Sequence, residues 1–396
     1  MIYSHCYRYF LELAKQLRAV RGLRYTFIAI CFVIIIGIGL GMSKGGDYQI
    51  FLKAGSRMFS GELIYQANDG IFPFKYHPIV STLFGLWAKL PPITGKLIFL
   101  ALSAMCFLCS TVFWCKQILS EYLIRNRMIE RSTVKLAVLS TFCLAMMLKF
   151  LVRELEFGQV NAFLFATVSA AYYCLKQEKH TWAGILIGTV SLFKLNYLLL
   201  LVPGIWWSRK FLLGGLIPWL CAQSAILISF ADAGTITNQW LSILFSVSEG
   251  QYIDLENQGI MHFISLIAPD NSRYFFWLIS VSLYCFIALG LYLCSIPLSS
   301  QFAFWLFGVN YLSPLAWWNQ YILAVPMLLI VFLRLKTILE FLLFFPVFFV
   351  AIIFQYELLG PLTYNLMQEN LAFTLFISML PLTFLKQMMN REIRFN

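Results

Sequence analysis

Apolar runs of the length that crosses a bilayer follow one another from Tyr25 to Leu385, with short clusters of lysine and arginine between them. A helix of about 17 to 25 residues spans the roughly 30 Å of hydrocarbon in a membrane. In lipid every backbone N–H and C=O must be paired within the protein, so only helices and closed barrels cross. No alternating pattern of barrel strands accompanies these runs. The chain therefore reads as an all-α polytopic integral membrane protein. Its 60% hydrophobic and 12% charged content over 396 residues agrees with this and excludes an ordinary soluble domain. The formal charge of +11 could suggest nucleic acid, but the basic residues are scattered between apolar runs, as the positive-inside rule places them.

Taken in order, Arg8, Lys15, Arg18, Arg21 and Arg24 precede the first run, Tyr25–Met42. That asymmetry puts the N-terminus in the cytoplasm and the next loop, residues 43–77, outside, with the run kept as an uncleaved helix. Pro78–Leu90 and Ile93–Ile118 read as two helices around Leu90-Pro91-Pro92. Two full crossings here would carry Arg125, Arg127, Arg131 and Lys135 outside, against the charge rule, so the crossing number over residues 78–118 stays open. With that segment inside, Val134–Leu151 runs outward, Val152–Gln159 is an outer turn and Val160–Leu175 returns. Thr181–Trp207 is broken near its middle by Lys194 into halves of about 20 Å, each too short to span. Phe211–Phe230 leads to a large outer loop, residues 231–273, from which Tyr274–Ile296 returns. Phe302–Phe332 is broken around Asn310–Gln320, and Ile338–Phe354 and Leu371–Leu385 complete one membrane domain over residues 1–396, with Lys386, Arg391 and Arg394 inside. The sum is a bundle of about 10 to 13 crossing or half-crossing helices. Nearly all of the ten cysteines lie in apolar segments, including Cys106-x-x-Cys109, and are expected as buried reduced thiols.

Polar residues gather in a few islands. In the first loop Ile50, Phe51, Ala54, Met58 and Phe59 recur at helical spacing and predict an amphipathic helix on the outer membrane surface. Asp47, just ahead of it, suits an N-cap as well as a catalytic carboxylate. Lys194 sits at membrane depth, where a cation needs a partner or a cavity unless it snorkels, and it would suit an anion such as a lipid phosphate. Gln159 and Asn161 at the turn could hold hydroxyl-rich ligands or simply begin a helix. Glu256-Asn257-Gln258 and Trp317-Trp318-Asn319-Gln320 read either as sugar-holding amides beside aromatic faces or as membrane-interface belts. No nucleotide-binding loop, dinucleotide fingerprint, metal-binding helix or serine elbow is present. Asp47 with Glu62 or Asp69 is the carboxylate pairing that leaves a divalent ion open.

An ordered set of short motifs covers about Asp47 to Gln320: Asp47-Tyr48 with Gly61-x-x-x-Tyr65, Tyr76-x-Pro78, Gly158-Gln159-x-Asn161, a small-residue helix ending at Lys194, Asn257-Gln258, and Ser313-Pro314-x-x-Trp317. In these the chain resembles the polyprenyl-phosphate-dependent glycosyltransferases of the GT-C class, most closely glycosyltransferase family 87, the bacterial α-mannosyltransferases. It departs where the family often has Ser after Asn-Gln (here Gly259) and His after the tryptophan motif (here Asn319-Gln320).

The resemblance implies an inverting hexosyltransferase, most closely a mannosyltransferase, that uses no cofactor and faces the outside of the bacterial plasma membrane. Its donor would be a polyprenyl-phosphate sugar and its acceptor a glycolipid or glycan. Asp47 would be the general base, with Lys194, Arg57, Lys75 and Arg153 about the donor phosphate. Tyr48, Tyr65, Tyr76, His77, Gln159, Asn161, Asn257, Gln258, Trp317, Asn319 and Gln320 would meet sugar or acceptor. The rival reading is a transporter or flippase of a lipid-linked sugar, which interrupted helices would also suit, although the inverted repeat common there is not evident. A lipid-sugar polymerase or ligase would lean more on outer-loop arginines.

Overall fold

The computed structural model describes residues 37, 46–66, 69, 73–125, 133–230, 232–251, 257–268, 272–353, 359–363, 367 and 372–392. The basic arm, nearly all of the first apolar run, Arg127, Arg131, Glu256 and Arg394 lie outside them.

Helix α1, Gly46–Ser60, buries Tyr48, Phe51, Ala54 and Gly55; of the expected stripe only Phe51 and Ala54 are buried, while Ile50 and Met58 are half-buried and Phe59 is exposed. The buried face packs on α2, Pro78–Trp87, and the two meet at Gly55 and Gly85, where a Cβ on Gly55 would overlap the Phe84–Gly85 backbone. Asp47 falls within the first turn of α1 and not at its cap. At ten residues, about 15 Å, α2 is too short to cross a membrane. The following α3, Pro92–Arg125, is long enough, and its Pro92 opens the helix where no N–H partner is needed.

Helix α4, Thr133–Phe157, runs further than the outer turn expected over Val152–Gln159, so Glu154 and Glu156 are helical. The reversal takes place at Gly158, whose φ of +60° is the left-handed conformation open to glycine, and whose Cα faces Tyr48 of α1 too closely for a side chain. From there the chain enters α5, Asn161–Lys176, and then α6, His180–Phe193. The helix stops at Lys194, which is extended (φ −140°, ψ 113°), and resumes as a 3₁₀ segment, Leu195–Leu201, and the short α7, Gly204–Trp207. Helix α8, Arg209–Ser229, lies directly on α6, because Gly184 and Gly188 let its backbone approach the Phe211 and Gly215 carbonyls, the small-residue seam of membrane helices.

The large loop expected over residues 231–273 is mostly helical, with α9, Ala233–Gln251, and α10, Ile260–Ile267, on either side of Asn257. Beyond it come α11, Arg273–Leu293, and α12, Leu298–Tyr311, which is buried from Ser299 to Asn310 and forms the centre of the bundle. The expected break around Asn310–Gln320 is followed by a 3₁₀ segment, Trp318–Ala324, and α13, Val325–Arg334. Helix α14, Ile338–Phe348, carries a Thr337–Glu340 capping box and passes into a π turn, Phe349–Ile353, and α15, Ala372–Glu392, ends the described fold. Four of these helices, α3, α8, α11 and α15, are long and apolar enough to cross a membrane. Helix α11 turns Phe275, Phe276, Leu278, Ile279, Leu283 and Phe286 outward, an apolar face that lipid would cover. The protein is an all-α polytopic membrane protein.

Candidate active site

A cavity of about 1030 Å³ opens inside the bundle. One wall is a face of α4, where Ala145, Leu148, Lys149, Val152, Arg153 and Glu156 recur at three- and four-residue spacing. Trp240 and Leu244 of α9, Trp277 and Val281 of α11, and the segment from Leu312 to Gln320 supply largely apolar walls. Asp47, Lys75, Gln159 and Lys194 bring the polar chemistry.

Asp47 is half-buried at the start of α1. Burial pushes its carboxyl up from the ordinary 3.8 to about 6, while the Lys194 and Lys75 ammonium groups pull it down. A wet outer loop would have left it an ordinary carboxylate; enclosure by α1 and the chain around Lys75 and Lys194 does not. Lys75 responds in the opposite sense: burial lowers it from 10.5 to about 8, against the attraction of Asp47 and with the repulsion of Lys194. Its segment is pinned on successive residues, for Trp240 Nε1 donates to the Lys75 carbonyl (3.0 Å), Tyr65 Oη to the Tyr76 carbonyl (2.6 Å), and the His77 N–H to the Leu192 carbonyl (2.9 Å). Lys194 donates to Asn161 Oδ1 at 2.7 Å, and Asn161 Nδ2 donates to Glu154 Oε2 at 2.7 Å. A carboxyl that titrates near neutrality beside two ammonium groups can take a proton and meet an anion in the same chamber.

Of the residues singled out in the sequence, Asp47, Lys75, Tyr76, Arg153, Gln159, Lys194, Trp317, Asn319 and Gln320 line the cavity. Gln159 and Asn319 each keep a buried side-chain oxygen without a protein partner. The others are engaged elsewhere. Arg57 is bidentate on Asp69 and does not reach the cavity, which removes it from the expected phosphate group. Tyr48 packs on Phe99, Tyr65 is buried and held to the Tyr76 carbonyl, and His77 caps α2 between Trp219 and Trp240. Asn161 is wholly buried between Glu154 and Lys194. Asn257 accepts the Ala316 N–H (2.9 Å) and donates to the Pro314 carbonyl (2.7 Å), and the Gln258 N–H donates to the Ala316 carbonyl (2.8 Å). The Asn257 side chain and the Gln258 backbone therefore staple the tryptophan loop in place, the Gln258 side chain accepts from Thr374 (3.3 Å), and Gly259 lies against Ala316 so closely that a side chain there would collide. Asp69 is held by Arg57 and Glu62 accepts from Ser60, and among the described residues no three His, Cys, Asp or Glu side chains converge as a metal site.

Two charged residues besides Glu156 had no expected role in the site. Lys149 lines the cavity with its ammonium 3.8 Å from the centre of the Trp318 ring and donates to the Val350 carbonyl of the π turn (3.4 Å). A cation near the end of the apolar run Val134–Leu151 was its signal. Glu154 was hidden by its assignment to a turn.

Fold and cavity together define a polytopic helical membrane protein with a charged site enclosed among its helices. The profile of glycosyltransferase family 87 matches residues 74–296, more than half of the chain, and the chain belongs to that family. It is a membrane glycosyltransferase. The matched stretch includes Lys75, Arg153, Gln159, Lys194 and Asn257, while Asp47 and the tryptophan loop lie outside it. No curated protein and no solved structure matches the chain.

Proposed function

We propose that the protein is an inverting transferase that moves a hexose, mannose in our reading, from a polyprenyl phosphate to a hydroxyl of a glycolipid or glycan acceptor on the extracytoplasmic face of the bacterial plasma membrane. The observation that carries this is Asp47 beside Lys75 and Lys194 on one cavity whose remaining walls are mostly apolar. A sugar joined by phosphate to a long hydrocarbon has matching parts: an anion for the ammonium groups, hydroxyls for Gln159, Asn319 and Gln320, aromatic faces at Trp317 and Tyr76, and a tail for the apolar walls.

Asp47 accepts the proton of the acceptor hydroxyl while that oxygen attacks the anomeric carbon. The bond from this carbon to the phosphate oxygen breaks on the opposite face, and the electron pair leaves with the phosphate. Lys194 and Lys75, with Arg153 along α4, meet the charge that the leaving phosphate gains. A phosphate neutralised in this way needs no proton from a second carboxyl, unlike the sugar oxygen released by a glycosidase.

The test is transfer of radiolabelled mannose from undecaprenyl-phosphate mannose to a lipid-extract acceptor by the purified protein in nanodiscs, wild type beside Asp47→Asn. A general base is worth about 10²- to 10⁴-fold, so the variant is expected to fall by at least about 100-fold while still binding donor. Equal transfer by both proteins would reduce Asp47 to a structural residue. Transfer by neither, with another lipid-phosphate sugar accepted, would replace mannose and keep the mechanism.

A further inference from the structure

We infer that Glu154, acting through Asn161, is the positioning residue that aims the Lys194 ammonium into the cavity toward the donor phosphate. The inference rests on Lys194 as a phosphate ligand and adds the residue that makes it one.

Glu154 stands in the last turn of α4 on the side away from the cavity face that carries Lys149 and Arg153, and it is wholly buried. Oε1 accepts the Ala162 N–H at 3.0 Å, and Oε2 accepts Asn161 Nδ2 at 2.7 Å. Asn161 Oδ1 in turn accepts Lys194 Nζ at 2.7 Å. The order of this chain follows from its chemistry. An ionised carboxylate can only accept and an ammonium can only donate, so the amide between them must turn its NH₂ to Glu154 and its carbonyl to Lys194. Lys194 is extended where α6 stops, and with one N–H held it keeps two for the cavity that it lines. The left-handed turn at Gly158 is what brings the end of α4 close enough to the start of α5 for Glu154 to reach Asn161.

A plainer role would be to cap α5. Val160, at its N-cap position, makes no side-chain cap bond, and Glu154 Oε1 serves the Ala162 N–H in its place. The cap uses one carboxylate oxygen and the chain to Lys194 uses the other, so the two roles can be separated.

In Glu154→Gln the side-chain oxygen still accepts the Ala162 N–H, but its NH₂ faces that of Asn161, and Lys194 loses its acceptor. The charge-swapped pair Glu154→Gln with Asn161→Asp restores a continuous chain of reversed order: the amide at 154 donates to the carboxylate at 161, which accepts Lys194. Nothing in a capping role calls for this rescue.

The probe is undecaprenyl phosphate, the lipid that the proposed reaction releases. Its affinity for the full-length protein in nanodiscs would be measured by calorimetry beside the thermal midpoint of each variant. Loss of a charge-assisted bond predicts about tenfold or more weaker binding for Glu154→Gln. The swap should recover to within about threefold of wild type, and Glu154→Gln should add no further loss to Lys194→Met. Wild-type affinity in Glu154→Gln, a swap that stays weak at a wild-type midpoint, or losses that add to Lys194→Met would each overturn the inference. Should Glu154→Gln fail to fold, the swap decides alone: wild-type binding by it supports the chain and weak binding refutes it. A wild-type protein that does not bind the lipid would overturn the phosphate reading of Lys194 and this inference with it, whereas the other outcomes leave that reading standing.

Discussion

Asp47 owes its chemistry to burial, which raises its carboxyl, and to two lysines distant in sequence, which pull it down. If an ionised Asp47 takes the proton and a charged Lys75 helps to hold the phosphate, the transfer rate should rise as pH passes about 6 and fall as it passes about 8, the values to which burial moves these groups. Initial rates between pH 5 and 9 would check this. A flat profile over that range would contradict the assignment. The same shift has a thermodynamic side. The carboxyl titrates near 6 folded against 3.8 ordinarily, so the native state holds the extra proton between those values and stability declines as pH rises through that window. Asp47→Asn mimics the protonated form and is therefore expected to raise the thermal midpoint at pH 8 by a few degrees and to flatten its pH dependence. A midpoint lowered at pH 8 would mean that the ion pairs outweigh burial.

The elements bring those residues together through a few backbone events. The left-handed glycine between α4 and α5 sets Glu154 against Asn161, and Tyr48 packs on the same turn from α1. Gly158→Ala would place a Cβ in a strained conformation and against Tyr48. It is expected to cost about 1 to 3 kcal/mol, with a matching loss of donor binding. Gly234→Ala in α9, where a Cβ meets open space, should leave both within about 1 kcal/mol of wild type. Chemical denaturation in detergent would compare the two, and equal effects would deny the turn its special role. The break of α6 at Lys194 matters in the same way. A continuous helix would bury this side chain against its neighbours, and the extended residue instead lets it reach both Asn161 and the cavity.

At the scale of the molecule, four long apolar helices among the described residues and a strongly apolar outer face require lipid, and the charge pattern predicts an orientation in it. If the first loop is outside, as that pattern predicts, a cysteine introduced by Glu62→Cys should react in intact cells with a membrane-impermeant maleimide. One introduced by Lys179→Cys at the turn between α5 and α6 should react only after lysis. Both positions are exposed, so access would be set by the side of the membrane alone. The opposite labelling would invert the topology and place the site on the cytoplasmic face.

The period and length of the apolar runs determined by themselves that this chain is a helical membrane bundle, because a bilayer allows few other structures. Local chemistry was enough to find the breaks at Lys194 and around Asn310–Gln320, since a cation or a Ser-Pro within a span has few places to go. The employment of each polar side chain was decided only by tertiary structure. In lipid a buried amide must be satisfied whether it serves a ligand or the backbone, so Asn257, which staples a loop, looks in sequence like Asn319, which faces the cavity. Glu154 looked like part of an outer turn until the helix ran on to Phe157 and the left-handed reversal at Gly158 buried it against Asn161. Arg57 looked like a phosphate ligand until the fold gave it Asp69, an interaction that a count of intervening residues does not reveal.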